Sequence, residues 1–324
     1  MSIIHKTSET KISISVLLLN FNQSEYLSQA FESLMNQTLL PEQIILVDDG
    51  SNAAEYSKFV EFINSLSPSK LQTIIIDDQK NSGQTSRMNQ ALSLATSDFF
   101  LLLSADDWLE PNSLEVMSNA IAKDIDIVWG NLHVVNEDGS SKGYVRPRDT
   151  WQGKVANRYL DGGTVYDDIL KVNNFVSGGM TLMRVSALRK HGGWDEKSTT
   201  EDLDLWLRIG RESKFRYLNS TIGNYRVIKN SKSRQDEQKL LDHSYIFSKH
   251  TSGDWSQDKG LAYLAAMRWA LAISRQLSIP KTSLRDMAQI MGTSKWLLRW
   301  ELPQAVIYPI AKSLTAYLRR ILSR

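Results

Sequence analysis

Residues 99–103, Phe-Phe-Leu-Leu-Leu, run almost at once into two adjacent carboxylates, Asp106 and Asp107. A short apolar run of this kind reads as a buried strand. A strand that ends in paired acids sets them at the edge of a sheet, where ligands bind in open α/β folds. Like charges side by side repel, so the pair calls for a reason. One is a divalent cation with phosphate oxygens on its far side. The other is a solvated turn before Pro111, with Asp107 capping the next helix.

The preceding chain repeats the pattern. Residues 12–19 are β-branched and apolar and read as a first strand, followed by Asn20-Phe21-Asn22-Gln23 and by Ser24 as a helix N-cap. Tyr26, Leu27, Ala30, Phe31 and Leu34 then recur at helical spacing. Residues 43–47 form a second strand that ends in another acid pair, Asp48-Asp49, before Gly50-Ser51. A polar helix over 53–66, a strand over 71–76 and a helix opened by Asn81-Ser82-Gly83 complete the run to residue 99. Alternating strands and helices predict a mostly parallel sheet. Asp and Asn recur at three of its strand-to-helix turns, which turn propensity alone explains poorly. The first turn has no glycine, which argues against a dinucleotide-binding domain.

Further on, the sequence predicts a helix over 112–122, strands over 125–129 and 132–135 with a hairpin at 137–140, and a mobile active-site loop or short helices over 144–174. A strand over 175–184 and a short helix to Lys190 follow. His191-Gly192-Gly193-Trp194 then leads to Thr200 at the N-cap of an acidic-fronted helix, and to strands over 214–218 and 221–227. The chain has no cysteine, which excludes thiolate zinc sites and Cys nucleophiles. Its five histidines show no metal-ligand spacing, and a net charge of +2 makes no case for nucleic acid. Residues 1–11 lack the apolar core of a signal peptide, and no apolar run reaches bilayer length.

Taken in order, Ser15-Val16-Leu17-Leu18-Leu19-Asn20-Phe21-Asn22, Val47-Asp48-Asp49-Gly50-Ser51, Asn81-Ser82-Gly83 through Asn89, Ser104-Ala105-Asp106-Asp107-Trp108-Leu109-Glu110-Pro111, Gly192-Gly193-Trp194-Asp195-Glu196 and Thr200-Glu201-Asp202 make this chain resemble the family 2 inverting glycosyltransferases of bacterial surface-glycan synthesis. The resemblance covers about residues 11–235. It implies a GT-A fold: an α/β domain over 1–235 with a mostly parallel central sheet and flanking helices. That domain would divide into a nucleotide-binding half (about 11–110) and an acceptor half (about 111–235), and a helical C-terminal extension would follow over 236–324.

It also implies transfer of a sugar from a nucleoside diphosphate sugar to a hydroxyl of a glycan or lipid-linked acceptor. The departing diphosphate needs a cation or positive dipoles. The attacking hydroxyl needs a carboxylate base, worth about 10²–10⁴ in rate. By the resemblance Asp202 is that base, and Glu201 contacts the acceptor or holds the base in place. Leu19, through its backbone, and Phe21 line the nucleotide pocket, and Asp49 accepts a hydrogen bond from the nucleobase. Gly83 and Asn89 shape the neighbouring wall with Arg87, and Trp194 is counted with the donor-site residues. Ser104, Ala105 and Asp106 occupy the family's Asp-x-Asp position, with Asp106 the ligand of Mn2+ or Mg2+. Arg226, with Lys229, Lys232 and Arg234, supplies positive charge to the diphosphate or belongs to a solvated loop.

Three positions depart from the family's pattern. Ser104 stands where an acid is usual. Met88 stands where Arg is frequent, with Arg87 one place earlier. Ile228 stands where a metal-ligating His is common. Binding without catalysis is therefore one rival reading. A sugar nucleotidyltransferase is another, but it would need a Gly- and Arg-rich loop after the first strand. From residue 295 to 324, six basic residues, Lys295, Arg299, Lys312, Arg319, Arg320 and Arg324, stand against a single acid, Glu301, and Ile307, Ile310, Leu314, Tyr317, Leu318 and Ile321 line one helical face. That composition fits a helix on the anionic inner face of the cytoplasmic membrane, or one packed on its own domain or on a second copy of the chain.

Overall fold

The computed structural model describes residues 12–66, 71–172, 174–198 and 200–228, together with Ile246. The basic run 229–234 and the expected C-terminal helices lie outside the described residues.

Four strands carry the first part of the chain: β1 (Ile14–Asn20), β2 (Gln43–Asp48), β3 (Gln72–Ile76) and β4 (Phe99–Ser104). Between them run α1 (Leu27–Met35), α2 (Ala53–Ser65) and α3 (Gln84–Leu94). Next come β5 (Trp108–Leu109), α4 (Ser113–Asn119), β6 (Ile125–Val135), β7 (Ser141–Arg146) and α5 (Trp151–Ala156). The remainder is α6 (Tyr166–Val172), β8 (Leu182–Arg184), α7 (Val185–Lys190), α8 (Glu201–Ile209) and β9 (Lys214–Arg226).

All strands join one sheet, ordered β3-β2-β1-β4-β8-β6-β9-β5, with β7 paired to β6. The β3-β2-β1-β4 half is parallel, as predicted, with Leu19 opposite both Val47 and Ser104 at its carboxyl edge. Beyond β4 the sheet is mixed. β8 is antiparallel to β4 and β6, while β9 runs parallel to β6 and antiparallel to β5. Val16, Leu18, Ile44, Leu46, Leu101 and Leu103 pack with Leu27, Leu34, Phe59 and Met117 in one apolar cluster. Leu17, Ile45 and Leu102 point the other way and are equally buried. Burial on both faces is why these strands read as continuous apolar runs rather than as alternating ones.

Several expectations need correction. The strand predicted over 175–184 is only Leu182–Arg184. Gly178, Gly179 and a positive φ at Met180 keep the preceding backbone irregular, although Met180 N still donates to Leu102 O. The paired strands predicted over 125–135 and 214–227 are each one long strand, and bulges at Gly130 and Asn131 produce the apparent break. Of the two readings of 144–174, the short helices hold: after the end of β7 come α5, a 3-10 turn over Asn157–Tyr159 and α6. Ser24 opens a short 3-10 turn ahead of α1 and does not cap α1 itself.

The described residues fall in two compact units. Those within Met1–Gly163, Val176–Trp194 and Ser213–Val227 form the first, which contains the whole sheet. Those within Thr164–Phe175, Asp195–Glu212 and Ile228–Arg324 form the second, which contains α6 and α8. Inside the second unit, Gly210 lets the end of α8 approach α6 closely: a Cβ there would stand 2.8 Å from Val165 Cγ2. The guanidinium of Arg211 lies 3.7 Å from the Tyr166 ring centroid. Among the described residues, no helix is long and apolar enough to cross a membrane.

Candidate functional site

At the end of β2 the two adjacent acids do different work. Asp48 is fully buried and closes its own turn, accepting from Ser51 N (2.9 Å), Ser51 Oγ (2.6 Å) and Asn20 Nδ2 (2.7 Å). Asp49 reaches across to the start of α3. It accepts from Ser82 N at 2.8 Å, Gly83 N at 3.1 Å and Arg87 Nε at 3.0 Å. Gly50 makes this crossing feasible, because its φ is +70° and a Cβ would lie 2.4 Å from Asn81 N.

Arg87 is 2% exposed and belongs to the wall. Besides Asp49, its guanidinium donates to both carboxylate oxygens of Asp78, to Gln90 Oε1 and to the carbonyl of Lys80. All five N–H donors of an arginine are thus taken by protein acceptors. Arg87 thus ties Asp49 to the 78–80 turn.

The turn after β4 is tied to β1, since Ala105 N donates to Leu19 O at 2.9 Å. Leu19 and Ala105 are buried, and Phe21 is 36% exposed just beyond β1. Asp106 is 9% exposed and accepts a hydrogen bond from Gln23, a partner the sequence did not indicate. Asp107 does not cap a helix. Its Oδ1 accepts from Arg226 N at 2.9 Å. Burial raises the Asp106 carboxyl above its usual range, against the pull of Arg226, and raises Asp107 well above it, with the charge of Asp106 adding to the effect. An acid pair held in this way is favoured in its ionised form by a cation.

Whether these residues suit a divalent ion depends on the ligands they offer. Among the described residues no group of three or more His, Cys, Asp or Glu is placed to hold one. Position 104 offers a hydroxyl and position 228 an alkyl chain, while Asp107 is committed to Arg226. That leaves Asp106. One carboxylate suffices for Mg2+ or Mn2+ when substrate phosphates and water complete the shell, so the residues fit an ion that arrives with a diphosphate.

The Gly-Gly-Trp stretch is fastened to α3. Asn89 Nδ2 donates to Trp194 O and Trp194 N donates to Asn89 Oδ1, both at 2.8 Å. Trp194 packs on Phe100 at 5.9 Å between centroids. Gly193 has φ +68°, and a Cβ there would fall 2.4 Å from Asn89 Oδ1. Gly193→Ala is therefore expected to break the Asn89–Trp194 clamp and lower stability by about 1–3 kcal/mol. A chemical-denaturation midpoint unchanged from wild type would refute that expectation.

In the second unit, Thr200 stands at the N-cap of α8 as predicted, although its side chain makes no capping bond. Asp202 is half-buried. Its Oδ2 accepts from Asn174 Nδ2 and its Oδ1 from Leu203 N, both at 2.7 Å. Asp204 is fully buried and ion-paired with Arg208 at 2.7 Å, a structural role consistent with its different helical face. Leu19, Asp49, Gly83, Arg87, Asn89, Ser104, Asp106, Trp194 and Arg226 all belong to the first unit, and Glu201 and Asp202 to the second.

Comparison with known proteins gives a consistent answer. The family model described as glycosyl transferase family 2 matches residues 15–192. An uncharacterized glycosyltransferase of Methanocaldococcus jannaschii is 27% identical over 73% of this chain and 79% of its own length. The cholesterol galactosyltransferase of Borreliella burgdorferi is 34% identical over 38% of this chain and 34% of its own. Among solved structures, S. aureus TarS 1–349 in complex with UDP superposes with a TM-score of 0.64 at 16% identity, covering 94% of this chain and 89% of that one. The mannosyltransferase PcManGT from Pyrobaculum calidifontis, in complex with GDP-Man and Mn2+, gives 0.60 at 15%, covering 94% and 87%. The fold is the GT-A fold.

Proposed function

The chain belongs to glycosyl transferase family 2, and from that premise we propose that it moves one sugar, with inversion, from a nucleoside diphosphate sugar to a hydroxyl of a glycan or lipid-linked acceptor. The observation that carries this reading is the carboxyl edge of the parallel strands. Asp49 and Asp106 follow β2 and β4, the two strands that flank β1. Those two strands lie two strand spacings apart, roughly 10 Å, a span that suits a nucleoside with its base at one acid and its diphosphate at the other.

Asp49 already accepts three hydrogen bonds, leaving a lone pair for an N–H of the base. The N3–H of uracil and the N1–H of guanine offer that donor, and the UDP and GDP-Man of the structural neighbours support this class. Asp106 would hold a divalent ion, which when bound would neutralise charge on the departing diphosphate. Asp202 would take the proton of the acceptor hydroxyl as that oxygen attacks the anomeric carbon opposite the leaving group. Asn174 would keep the carboxylate oriented. The basic composition of residues 295–324, six Lys and Arg against one acid, supports an acceptor at an anionic surface.

A thermal-shift screen of UDP-, GDP-, CDP- and ADP-sugars, with and without Mn2+, tests the donor assignment, because a ligand that binds only the native state raises the melting temperature. A rise with UDP- or GDP-sugars alone is expected; a response confined to CDP- or ADP-sugars would remove Asp49 from the base-binding role. Ser104→Asp should restore a second carboxylate and tighten Mn2+ binding in the presence of nucleotide by about tenfold. An unchanged Mn2+ titration would place the ion elsewhere.

A further inference from the structure

Arg226 is 4% exposed, and a charged side chain buried this deeply is rare unless its bonds are satisfied. It ends β9, and four hydrogen bonds converge on it. Its Nε donates to the backbone carbonyl of Asp106 at 2.9 Å, and its backbone N–H to Asp107 Oδ1 at 2.9 Å. Its two terminal nitrogens donate to Glu137 O, in the β6–β7 turn, and to Gln29 Oε1 on α1, each at 2.6 Å. The guanidinium carbon lies over two aromatic rings, 4.4 Å from the centroid of Tyr26 and 4.9 Å from that of Trp108. One residue thus grips both members of the acid pair, and anchors them to α1, to the hairpin and to β5.

We propose that Arg226 is a positioning residue for Asp106 and not a ligand of the diphosphate: packed over Tyr26 and Trp108, it fixes the Asp106 peptide through its carbonyl. The physical reason lies in positions 104 and 228. With Ser and Ile there, a single carboxylate must serve where the family's pattern offers several ligands, so that carboxylate gains most from being held still before the ligand arrives. A guanidinium suits the task, since its planar fork donates in several fixed directions while it packs on aromatic rings. An ammonium at the same place would keep the charge and lose the fork and the stacking.

The inference rests on Asp106 being the carboxylate beside the diphosphate, and a double-mutant cycle with Arg226→Lys and Asp106→Asn tests it. UDP and GDP are titrated calorimetrically into wild type, both single variants and the double variant, in Mn2+ and in EDTA. Arg226→Lys should weaken Mn2+-dependent nucleotide binding by about 10–100-fold, as loss of a residue that orients a metal ligand does. It should leave binding in EDTA unchanged and cost nothing more once Asp106 is Asn. An equal loss in EDTA, or in the Asp106→Asn background, would make Arg226 a direct ligand of the diphosphate and overturn the proposal.

Should Arg226→Lys fail to fold, Gln29→Ala takes its place in the same cycle. Gln29 is exposed, so its loss removes one anchor of the guanidinium without opening the core. A smaller loss that again disappears with Asp106→Asn supports the proposal, and no loss refutes it. If wild type binds neither nucleotide, the functional reading fails and this inference falls with it.

Discussion

Asp202→Asn is expected to lower the turnover of sugar transfer by about 10²–10⁴, the usual worth of a general base, while the donor's Kd should stay within about twofold. The substitution is nearly isosteric and keeps an oxygen to accept from Asn174 or Leu203, so the helix start should survive. What it would remove, on the proposed role, is the ability to take a proton from the acceptor. Because that proton would move only in the transition state, the loss should fall in kcat and not in donor affinity. Its neighbour in the first turn of α8 provides the contrast. Asp204 is fully buried against Arg208, so Asp204→Asn should lower the melting temperature and leave the turnover of the remaining folded molecules intact. Single-turnover transfer, with donor affinity measured separately by calorimetry, distinguishes the two. Near wild-type turnover in Asp202→Asn would take the base role away from this residue.

Arg87→Met is expected to be strongly destabilising. Arg87 and Asp49 are both buried, at 2% and 3% exposure. Removing one partner of a buried ion pair strands the other, at about 3–5 kcal/mol. For a domain of this size that corresponds to a fall in melting temperature of about 6–20 °C. The same change unlinks the 78–80 turn from α3, because Arg87 donates to Asp78 and to the Lys80 carbonyl. Arg87→Lys should recover only part of the loss, since one ammonium cannot span Asp49, Asp78 and Gln90 together. A fall of less than about 3 °C in Arg87→Met would show that the pair relaxes into solvent and is not a structural clamp.

Much of this molecule was legible in one dimension. The apolar runs of β1, β2 and β4, the helices between them and the acids at their ends are local features. Each segment's burial pattern and its terminating residues are written in its own few residues, and the parallel half of the sheet follows from their alternation. The acid-fronted start of α8 is legible for the same reason. What each charged residue does there was not legible. Asp48 and Asp49 are adjacent and chemically identical, yet one closes its own turn on Ser51 while the other reaches 38 residues along the chain to Arg87. Arg226 read equally well as a solvated cation or a phosphate ligand. It proved to be buried against Tyr26 and Trp108, bonded to residues 119 and 120 positions earlier in the chain. The long strands β6 and β9 looked like broken pairs, because a bulge at Gly130 and Asn131 shifts the register without adding a turn. Periodicity and end residues record how a segment meets water and satisfies its own backbone, and a single sequence carries that information. Which donor meets which acceptor across a hundred residues depends on the order of strands in the sheet, and only the assembled tertiary structure decides it.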